Sequence, residues 1–324
     1  MQRSVIVGTS LIVVVLIAFF AFYLIQIKQT NLSSDQTQRI VSLAPSDTQI
    51  LVSLGLGKDI VAVDQYSYSL IKLLNETKCL PQNVTVLQLQ AGSPPNVSGL
   101  VLLHPSIVID EEGLIGSYAT LIKNAGLHLL LTNDDYAQNF SQITASILNV
   151  SNQIGAKSQG EKLVSWMNDK LQSFSTQGNV SVAYLLYICP NYEFYTAGGN
   201  VFINDIITKA GGSNVFSNQS GYPLLGPSSL DLANPQVIIA QEVYNISYTE
   251  FLISHMPGIT STRAYQENRI YVLSQNLPTD LINEPGPLSV YSVEMVRDIL
   301  NNGSPHYVNS SFVLKDLNVS LPVF

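Results

Sequence analysis

The segment "LAPSDTQIL", residues 43–51, carries polar groups at a spacing that could bind a ligand. Ser46 can cap a helix, and Gln49, three positions later, can reach back to the backbone N–H of Ser46 in a capping box. The apolar run before this segment predicts a strand, so the helix would begin at the carboxyl end of that strand. Ligands of open α/β sheets bind at this edge, and a helix N-terminus offers free N–H groups to polar or anionic groups. The segment therefore predicts one wall of a binding site.

Other reactive side chains are present, but their spacing matches no catalytic motif. The sequence has no GxSxG, no HExxH and no phosphate-binding loop, and "LGLGKD" lacks the third glycine of a dinucleotide-binding turn. Glu111 with Glu112, and Asp134 with Asp135, could lie in a cleft, but adjacent side chains usually point apart and indicate a surface. We therefore predict neither an enzyme nor a bound cofactor.

A site for a bare metal ion is not predicted either. Zinc or manganese would need about three histidines that converge with a carboxylate. The histidines are scattered singly along the chain, at His104, His128, His255 and His306. Cys79 and Cys189 have no metal-binding spacing. They are interpreted either as one disulfide or as two buried thiols without a catalytic part.

These side chains must be positioned by an alternation of short apolar runs and helical segments. "RIVSLA", "DIVAVD", "PSIVID" and "GLHLLLT" predict the strands of one α/β lobe, and "NVSVAYLLYI", "PQVIIAQEV" and "NRIYVLS" those of a second. Between them Leu163, Met167, Leu171 and Phe174 recur at helical spacing. We predict two Rossmann-like α/β lobes joined by a single long helix. The predicted divisions are an N-terminal lobe at 39–152, a connecting helix at 153–177, a C-terminal lobe at 178–302 and a polar tail at 303–324.

The N-terminus carries an apolar segment, residues 5–25, without a charged residue. At about 1.5 Å per residue a helix of this length crosses a hydrocarbon core of roughly 30 Å. We therefore predict an N-terminal transmembrane helix within residues 1–29, followed by a linker at 30–38. A cleaved signal is the alternative, although no small-x-small cleavage site follows the run.

Twelve N-x-S/T sequons follow the apolar segment, on the side where a glycosylation machinery outside the cell would meet them. An accidental origin, in a chain rich in Ser and Asn, is the alternative. The candidate glycosylation sites are Asn31, Asn75, Asn83, Asn96, Asn139, Asn149, Asn179, Asn218, Asn245, Asn302, Asn309 and Asn318.

The charge balance excludes one class of partner. The chain has 15 basic and 23 acidic residues, and its net charge is −8. No cluster of Lys and Arg is present to neutralise phosphates, so we predict no nucleic-acid partner.

Several segments, in consistent order over about residues 39–300, resemble the class III substrate-binding proteins of ABC transporters. "RIVSLAPSDTQILVSLGLGKDIVAVDQYSYS" is similar to their N-terminal signature of strand, A/S-P-S/N turn, helix and second strand. "NVSGLVLLHPSIVID" is similar to a later strand of the same lobe. In the second lobe, "YEFYTAGGNVFINDIITKAGGSNVF" and "SSLDLANPQVII" resemble two further family segments.

The resemblance implies two lobes bridged by one helix, with a ligand held in the cleft between them. Tyrosine rings there would suit a large planar or chelated ligand. In the family's vitamin B12 binder a Glu of each lobe docks on the permease, and the matching positions here are Ser98 and Ser228. The implied ligand-binding positions are Pro45, Ser46, Tyr66, Tyr68, Glu111, Tyr195, Tyr222, Asn283 and Glu284.

The expected function is therefore that of an extracellular substrate-binding protein, anchored in the cell membrane by a single pass. Its partners would be an ABC permease with its ATPase, and its ligand a ferric siderophore, a corrinoid or haem. A cell-surface glycoprotein or sensor that keeps the binding fold without a transport role is the alternative.

Overall fold

The computed structural model describes residues 38–90 and 94–324. Residues Arg39–Phe324 form one compact unit built on two β-sheets. The predicted anchor or signal, the Asn31 sequon and all but the last residue of the predicted linker lie outside the described residues. Within the described ranges, no helix has both the length and the apolar character to cross a membrane.

The N-terminal lobe contains a five-stranded parallel sheet with the order β3-β2-β1-β4-β5. Its strands are β1 (Ile40–Ser42), β2 (Ile60–Asp64), β3 (Thr85–Leu87), β4 (Ile107–Glu111) and β5 (Leu129–Thr132). Its helices are α1 (Pro45–Ser53), α2 (Gln65–Leu73), α3 (Val97–Leu102), α4 (Glu112–Ile115), α5 (Ala119–Asn124) and α6 (Phe140–Gln153). The strand order reverses between β1 and β4, and such a reversal opens a crevice at the carboxyl ends of the strands.

The C-terminal lobe contains a seven-stranded mixed sheet with the order β12-β11-β10-β6-β7-β9, and β8 also pairs with β6. Its strands are β6 (Val180–Ile188), β7 (Phe194–Thr196), β8 (Gly212–Asn214), β9 (Leu224–Leu225), β10 (Val237–Gln241), β11 (Ile270–Leu273) and β12 (Tyr307–Val308). Its helices are α8 (Phe202–Lys209), α9 (Pro227–Ala233), α10 (Ile246–Ser254), α11 (Arg263–Gln266), α12 (Leu277–Asn283), α13 (Val290–Leu300) and α14 (Ser310–Lys315). Only β7 runs antiparallel to its neighbours, β6 and β9, in the described pairings.

A long helix, α7 (Lys157–Phe174), leads from the first sheet to the second and lies inside the predicted connecting segment. Its apolar stripe is buried, with Leu163 and Met167 fully inaccessible to solvent. Tyr291 of α13 packs against this helix, with its ring centroid 6.1 Å from that of Trp166. The stripe belongs to a hydrophobic cluster that also includes core residues of both sheets, so the two lobes share one core.

The last residues of the chain differ from the polar tail that the sequence predicts. Strand β12 pairs with β11, and Val313, Leu317 and Leu321 are buried in the shared core. The backbone N–H of Phe324 donates to the carbonyl of Ser53, at 3.0 Å, at the end of α1. The prediction was wrong because the polar residues of this segment alternate with apolar ones, and the apolar ones face the core.

Four of the sequon asparagines begin helices. The side-chain oxygens of Asn96, Asn139, Asn245 and Asn309 each accept a hydrogen bond from the backbone N–H three residues later. Asn is a favoured N-cap residue, so these four positions have a structural role whether or not they carry glycans. Of the eleven described sequon asparagines, nine are exposed and two, Asn139 and Asn309, are half-buried.

Candidate ligand-binding cleft

The start of α1 differs in detail from the predicted capping box. The N-cap is Ala44, which makes no side-chain cap, and Pro45 occupies the first helical turn. Proline is favoured at that position because it has no N–H to leave unpaired. Ser46 therefore lies inside the helix, and its hydroxyl donates to a carboxyl oxygen of Glu111 at the end of β4. The Gln49 side chain does not return to Ser46, and its Oε1 accepts from the backbone N–H of Leu288, at 3.0 Å.

Two contiguous cavities lie at the carboxyl ends of the N-terminal strands. One, of about 440 Å³, is lined by residues of the N-terminal lobe, among them Asp64 and Asp110. The other, of about 470 Å³, extends to Asp280 and Glu284 of the C-terminal lobe. The two cavities share three lining residues, Pro45, Tyr66 and Leu114. A third cavity, of about 190 Å³, also lies between the lobes and is lined by Asp135, Tyr222 and Asn283. We call the three together the cleft.

Five of the nine predicted ligand-binding residues line this cleft. They are Pro45, Tyr66, Tyr222, Asn283 and Glu284. Ser46 and Glu111 are bonded to each other and are buried. Tyr68 packs against the hydrophobic core. Tyr195, on β7, is 41% exposed and lines none of the three cavities.

Tyr66 is held in position by the residue that ends β2. Asp64 caps α2, and its Oδ1 accepts from the backbone N–H groups of Tyr66, at 2.8 Å, and Ser67, at 3.0 Å. This cap fixes the first turn of the helix, and the Tyr66 side chain remains 62% exposed at the cavity. The strand end therefore determines where the aromatic ring lies in the cleft.

Carboxyl groups from both lobes surround the cleft. Asp134, Glu111 and Asp110 interact electrostatically with Asp47. Other carboxyl groups interact with these and extend the set to the cavity walls. We call the following residues the carboxyl cluster: Asp47, Asp64, Asp110, Glu111, Asp134, Asp135, Asp280 and Glu284. Asp134 is only 1% exposed, so its interpretation as a surface residue was wrong.

Burial shifts the titration of the whole cluster. It raises the pKa of Asp110 to about 7, because the charged form is removed from water. In the C-terminal lobe burial raises the pKa of Glu284 to about 8 and that of Asp280 to about 6. Burial, followed by the negative charges of Asp134 and Glu111, raises the pKa of Asp47 well above its ordinary value. A large part of the cluster is therefore protonated in mildly acidic solution.

The C-terminal side of the cleft also carries an uncharged polar network. The Gln241 Nε2 donates to the Tyr184 hydroxyl and to the Asn283 Oδ1, both at 2.9 Å. Tyr184 is fully buried, and burial raises the pKa of its hydroxyl. We call Tyr184, Gln241 and Asn283 the amide network. It presents Asn283 to the third cavity with its hydrogen bonds already made.

Both cysteines are free thiols in the structure. Cys79 lies at the end of a 3₁₀ turn, and its Sγ donates to the Glu76 carboxylate at 3.6 Å. Cys189 follows β6 in the other lobe. Across residues 38–90 and 94–324, no group of three or more His, Cys, Asp or Glu is placed to hold a metal ion.

The sequence analysis missed several residues that line the cleft. Asp64 and Asp110 come at the ends of the apolar runs "DIVAVD" and "IVID", and an acidic residue at the end of a buried strand was the available signal. Leu114 and Asp280 also line the cleft. They had no comparable signal, because each lies on a helix whose orientation depends on contacts distant in sequence.

A family model described as periplasmic binding protein matches residues 40–277. The chain belongs to this family. One relative of this periplasmic binding protein, an uncharacterised ABC transporter substrate-binding lipoprotein of Bacillus subtilis, is 25% identical over 271 residues, which cover 81% of this chain and 80% of that one. The vitamin B12-binding protein of Vibrio cholerae is 23% identical, over 80% of this chain and 87% of its own.

Solved structures share the fold of this periplasmic binding protein. The periplasmic haem-binding protein of Roseiflexus sp. RS-1, in apo form, superposes with a TM-score of 0.67 at 22% identity. The match covers 82% of this chain and 98% of that one. The predicted α/β class of the fold and the predicted family resemblance are therefore both confirmed.

Proposed function

We propose that this chain is the substrate-binding protein of an ABC importer and that it captures a bulky metal chelate in the cleft. The ligand class is that of ferric siderophores, corrinoids and haem. The protein would deliver its ligand to a permease driven by an ATPase, and it would carry out no chemical step itself.

The observation that carries this proposal is the pair of contiguous cavities at the switch point of the N-terminal sheet. Together they provide apolar area from Leu114 and Tyr66 beside polar groups from both lobes. Small-molecule sites typically occupy about 300–1,000 Å³ and combine an apolar lining with a few polar groups. The cleft fits this description, and its two sides come from different lobes.

The relatives support the ligand class. Two proteins of this family are named for a vitamin B12-binding and a haem-binding function. The Bacillus subtilis relative is named as a substrate-binding lipoprotein of an ABC transporter. A corrinoid and haem are both large, nearly planar chelates, which suits a cleft bordered by exposed tyrosines.

We also propose that the binding unit lies outside the cell and is tethered by the apolar segment within residues 1–29. The Bacillus subtilis relative is named a lipoprotein, which is a different form of membrane attachment. The exposed sequon asparagines are accessible for glycosylation in this location.

Thermal unfolding of the purified full-length chain with a panel of corrinoids, haem and ferric siderophores tests the function. A ligand that binds only the native state stabilises it by about 2.7 kcal/mol at a concentration 100 times its Kd. We expect at least one chelate to raise the melting temperature, and we expect Tyr66→Ala to reduce the shift. Tyr265→Ala is the matched control, because Tyr265 is 42% exposed on α11 and lies outside the cleft. The proposal fails if no chelate shifts the transition.

A further inference from the structure

The carboxyl cluster is continuous across the two lobes. Glu284 of the C-terminal lobe lies close enough to Asp64 and Asp134 of the N-terminal lobe to interact with them electrostatically. Asp110 interacts in the same way with Asp64 and Asp135. Any ligand that fills the space between the lobes therefore meets carboxyl groups on both sides.

Several oxygens of the cluster have no hydrogen-bond partner. Asp47 is fully buried, and neither of its carboxyl oxygens is bonded, although the Thr132 hydroxyl lies nearby. The Oδ2 of Asp134 and the Oδ1 of Asp135 are also buried without a hydrogen-bond partner. Asp135 also lines the third cavity, and its Oδ2 accepts from the backbone N–H of Gly113. Native proteins rarely leave buried carboxyl oxygens unpaired, because each loses its hydration without compensation.

Two buried hydroxyl groups donate to the cluster itself. The Ser46 hydroxyl, at the start of α1, donates to Glu111. The Ser67 hydroxyl, at the start of α2, donates to Asp64. The N-termini of these two helices thus face carboxyl groups of the chain itself, and do not offer their hydroxyls to a negatively charged group from solution.

Several carboxylates outside the cleft have ion-pair partners. Glu161, Asp205 and Glu267 each form an ion pair with a Lys or Arg four residues away on the same helix. No ion pair found among the described residues includes a member of the carboxyl cluster. Of the described Lys, Arg and His residues, none lines any of the three cavities of the cleft.

From this arrangement we infer that the cleft selects a positively charged chelate, with ammonium or amide N–H groups directed at the carboxyl cluster, and that it rejects chelates bearing free carboxylates. This inference rests on the proposed function and specifies its ligand. The positive charge supplies the cluster with the kind of partner that Glu161, Asp205 and Glu267 have within the chain. A carboxylate on the ligand would instead approach groups of like charge, and no described Lys, Arg or His lines the cleft to compensate.

Matched pairs of chelates test the inference on the full-length chain. Cobinamide and cobyrinic acid share a corrin ring and cobalt, but the first carries amides and a net positive charge and the second carries carboxylates. Ferrioxamine B, with its free ammonium, and its N-succinyl derivative form a second pair. Binding is measured at pH 8.5, where both Asp110 and Glu284 are largely ionised. In each pair that binds, we expect the cationic member to bind at least tenfold more tightly. Equal or tighter binding of the carboxylate member overturns the inference while leaving the proposed function intact.

If no chelate binds, the proposed function fails and the inference falls with it. If haem, which carries two carboxylates, binds as tightly as the cationic chelates, the inference alone fails. Charge-removing variants give a second comparison. The cationic preference is the ratio of the affinities of the two members of a pair. We expect the double variant Asp110→Asn, Glu284→Gln to reduce this ratio at least threefold, because both groups line the cavities. Glu250→Gln, on the exposed surface of α10, is the control and should retain the full preference. An unchanged preference in the folded double variant overturns the inference.

Discussion

The carboxyl cluster and the amide network border the same cleft, but they satisfy their polar groups in opposite ways. In the amide network, Gln241 provides a hydrogen bond to each of its two partners. In the carboxyl cluster, Asp47 is fully buried with no bond to either oxygen. The network is complete without a ligand, whereas the cluster remains incomplete.

This difference separates two tasks within one site. A completed network fixes the shape of a wall, since each group holds its neighbour in place. An incomplete buried cluster lowers the stability of the empty protein, and a suitable ligand can recover that loss when it binds. We therefore attribute the shape of the third cavity to the amide network and the selection of ligand charge to the carboxyl cluster.

The largest expected effect is a loss of stability as the pH rises. The folded-state pKa values of Asp110, about 7, and Glu284, about 8, exceed the ordinary values of about 4. The folded state therefore binds protons more tightly than the unfolded state, and the stability that these groups contribute is fully present below about pH 4 and is lost between about pH 4 and pH 8. At about 1.4 kcal/mol per pKa unit, Asp110 alone contributes a loss of up to about 4 kcal/mol. Urea unfolding at pH 5 and pH 8.5 measures the difference.

The groups that face these two carboxyls are themselves acidic. Asp110 faces Asp64 and Asp135, and Glu284 faces Asp280, Asp64 and Asp134. Their ionisation as the pH rises therefore adds to the loss of stability. A free energy of unfolding that rises between pH 5 and pH 8.5 would show that the cluster is not buried as described.

The variant Asp110→Asn should remove much of this pH dependence. The amide is nearly isosteric, keeps an oxygen to accept from the Glu111 N–H, and does not ionise. We expect a gain of about 1–3 kcal/mol in the free energy of unfolding at pH 8.5, and a smaller gain at pH 5, where only part of the wild-type loss has occurred. Glu250→Gln, measured in parallel, should behave like the wild type at both values. If the free energy of unfolding depended on pH equally in Asp110→Asn and in the wild type, the pH dependence could not be attributed to Asp110.

In the amide network, Gln241→Ala should lower the free energy of unfolding by about 1–2 kcal/mol, because it leaves the buried Tyr184 hydroxyl without its hydrogen-bond partner. Here the expected cost is the same at pH 5 and pH 8.5, since no carboxyl group takes part. A cost that changes strongly with pH would mean that the network and the cluster are coupled and would break the distinction between them.

A smaller effect is expected for Gln49, which connects the two lobes. Gln49→Ala should lower the free energy of unfolding by about 1 kcal/mol. The substitution leaves the backbone N–H of Leu288 without its partner. Gln153→Ala is a control for the loss of a glutamine, because Gln153 is exposed at the end of α6. Equal stability of the two variants would show that the Gln49 contact does not hold the lobes together.

The sequence predicted the elements of the fold better than the contacts between them. The stripe through Leu163 and Met167 predicted α7 to within a few residues, because helical periodicity is a local property. The role of Gln49 was misassigned, since its partner Leu288 is 239 positions away. The tail was misassigned for a related reason, because its apolar residues are buried only through contacts with the rest of the chain.

The candidate site shows the same limit. Tyr66 and Tyr222 were found through family resemblance, and both line the cleft. Tyr68, two positions after Tyr66, packs on the core instead, because side chains two residues apart on a helix face different directions. The carboxyl cluster was only partly anticipated, since its members come from five separate segments that meet only in the folded chain.

The most direct test of the central claim is a calorimetric titration of the best ligand from the panel against Tyr66→Ala and Tyr222→Ala. Tyr66 borders the cleft from the N-terminal lobe and Tyr222 from the C-terminal lobe. If a ligand is held between the lobes, each substitution should weaken binding by about 1–3 kcal/mol, while the control Tyr265→Ala leaves it unchanged. Wild-type affinity in both cleft variants would contradict the account, because neither side of the cleft would then contact the ligand.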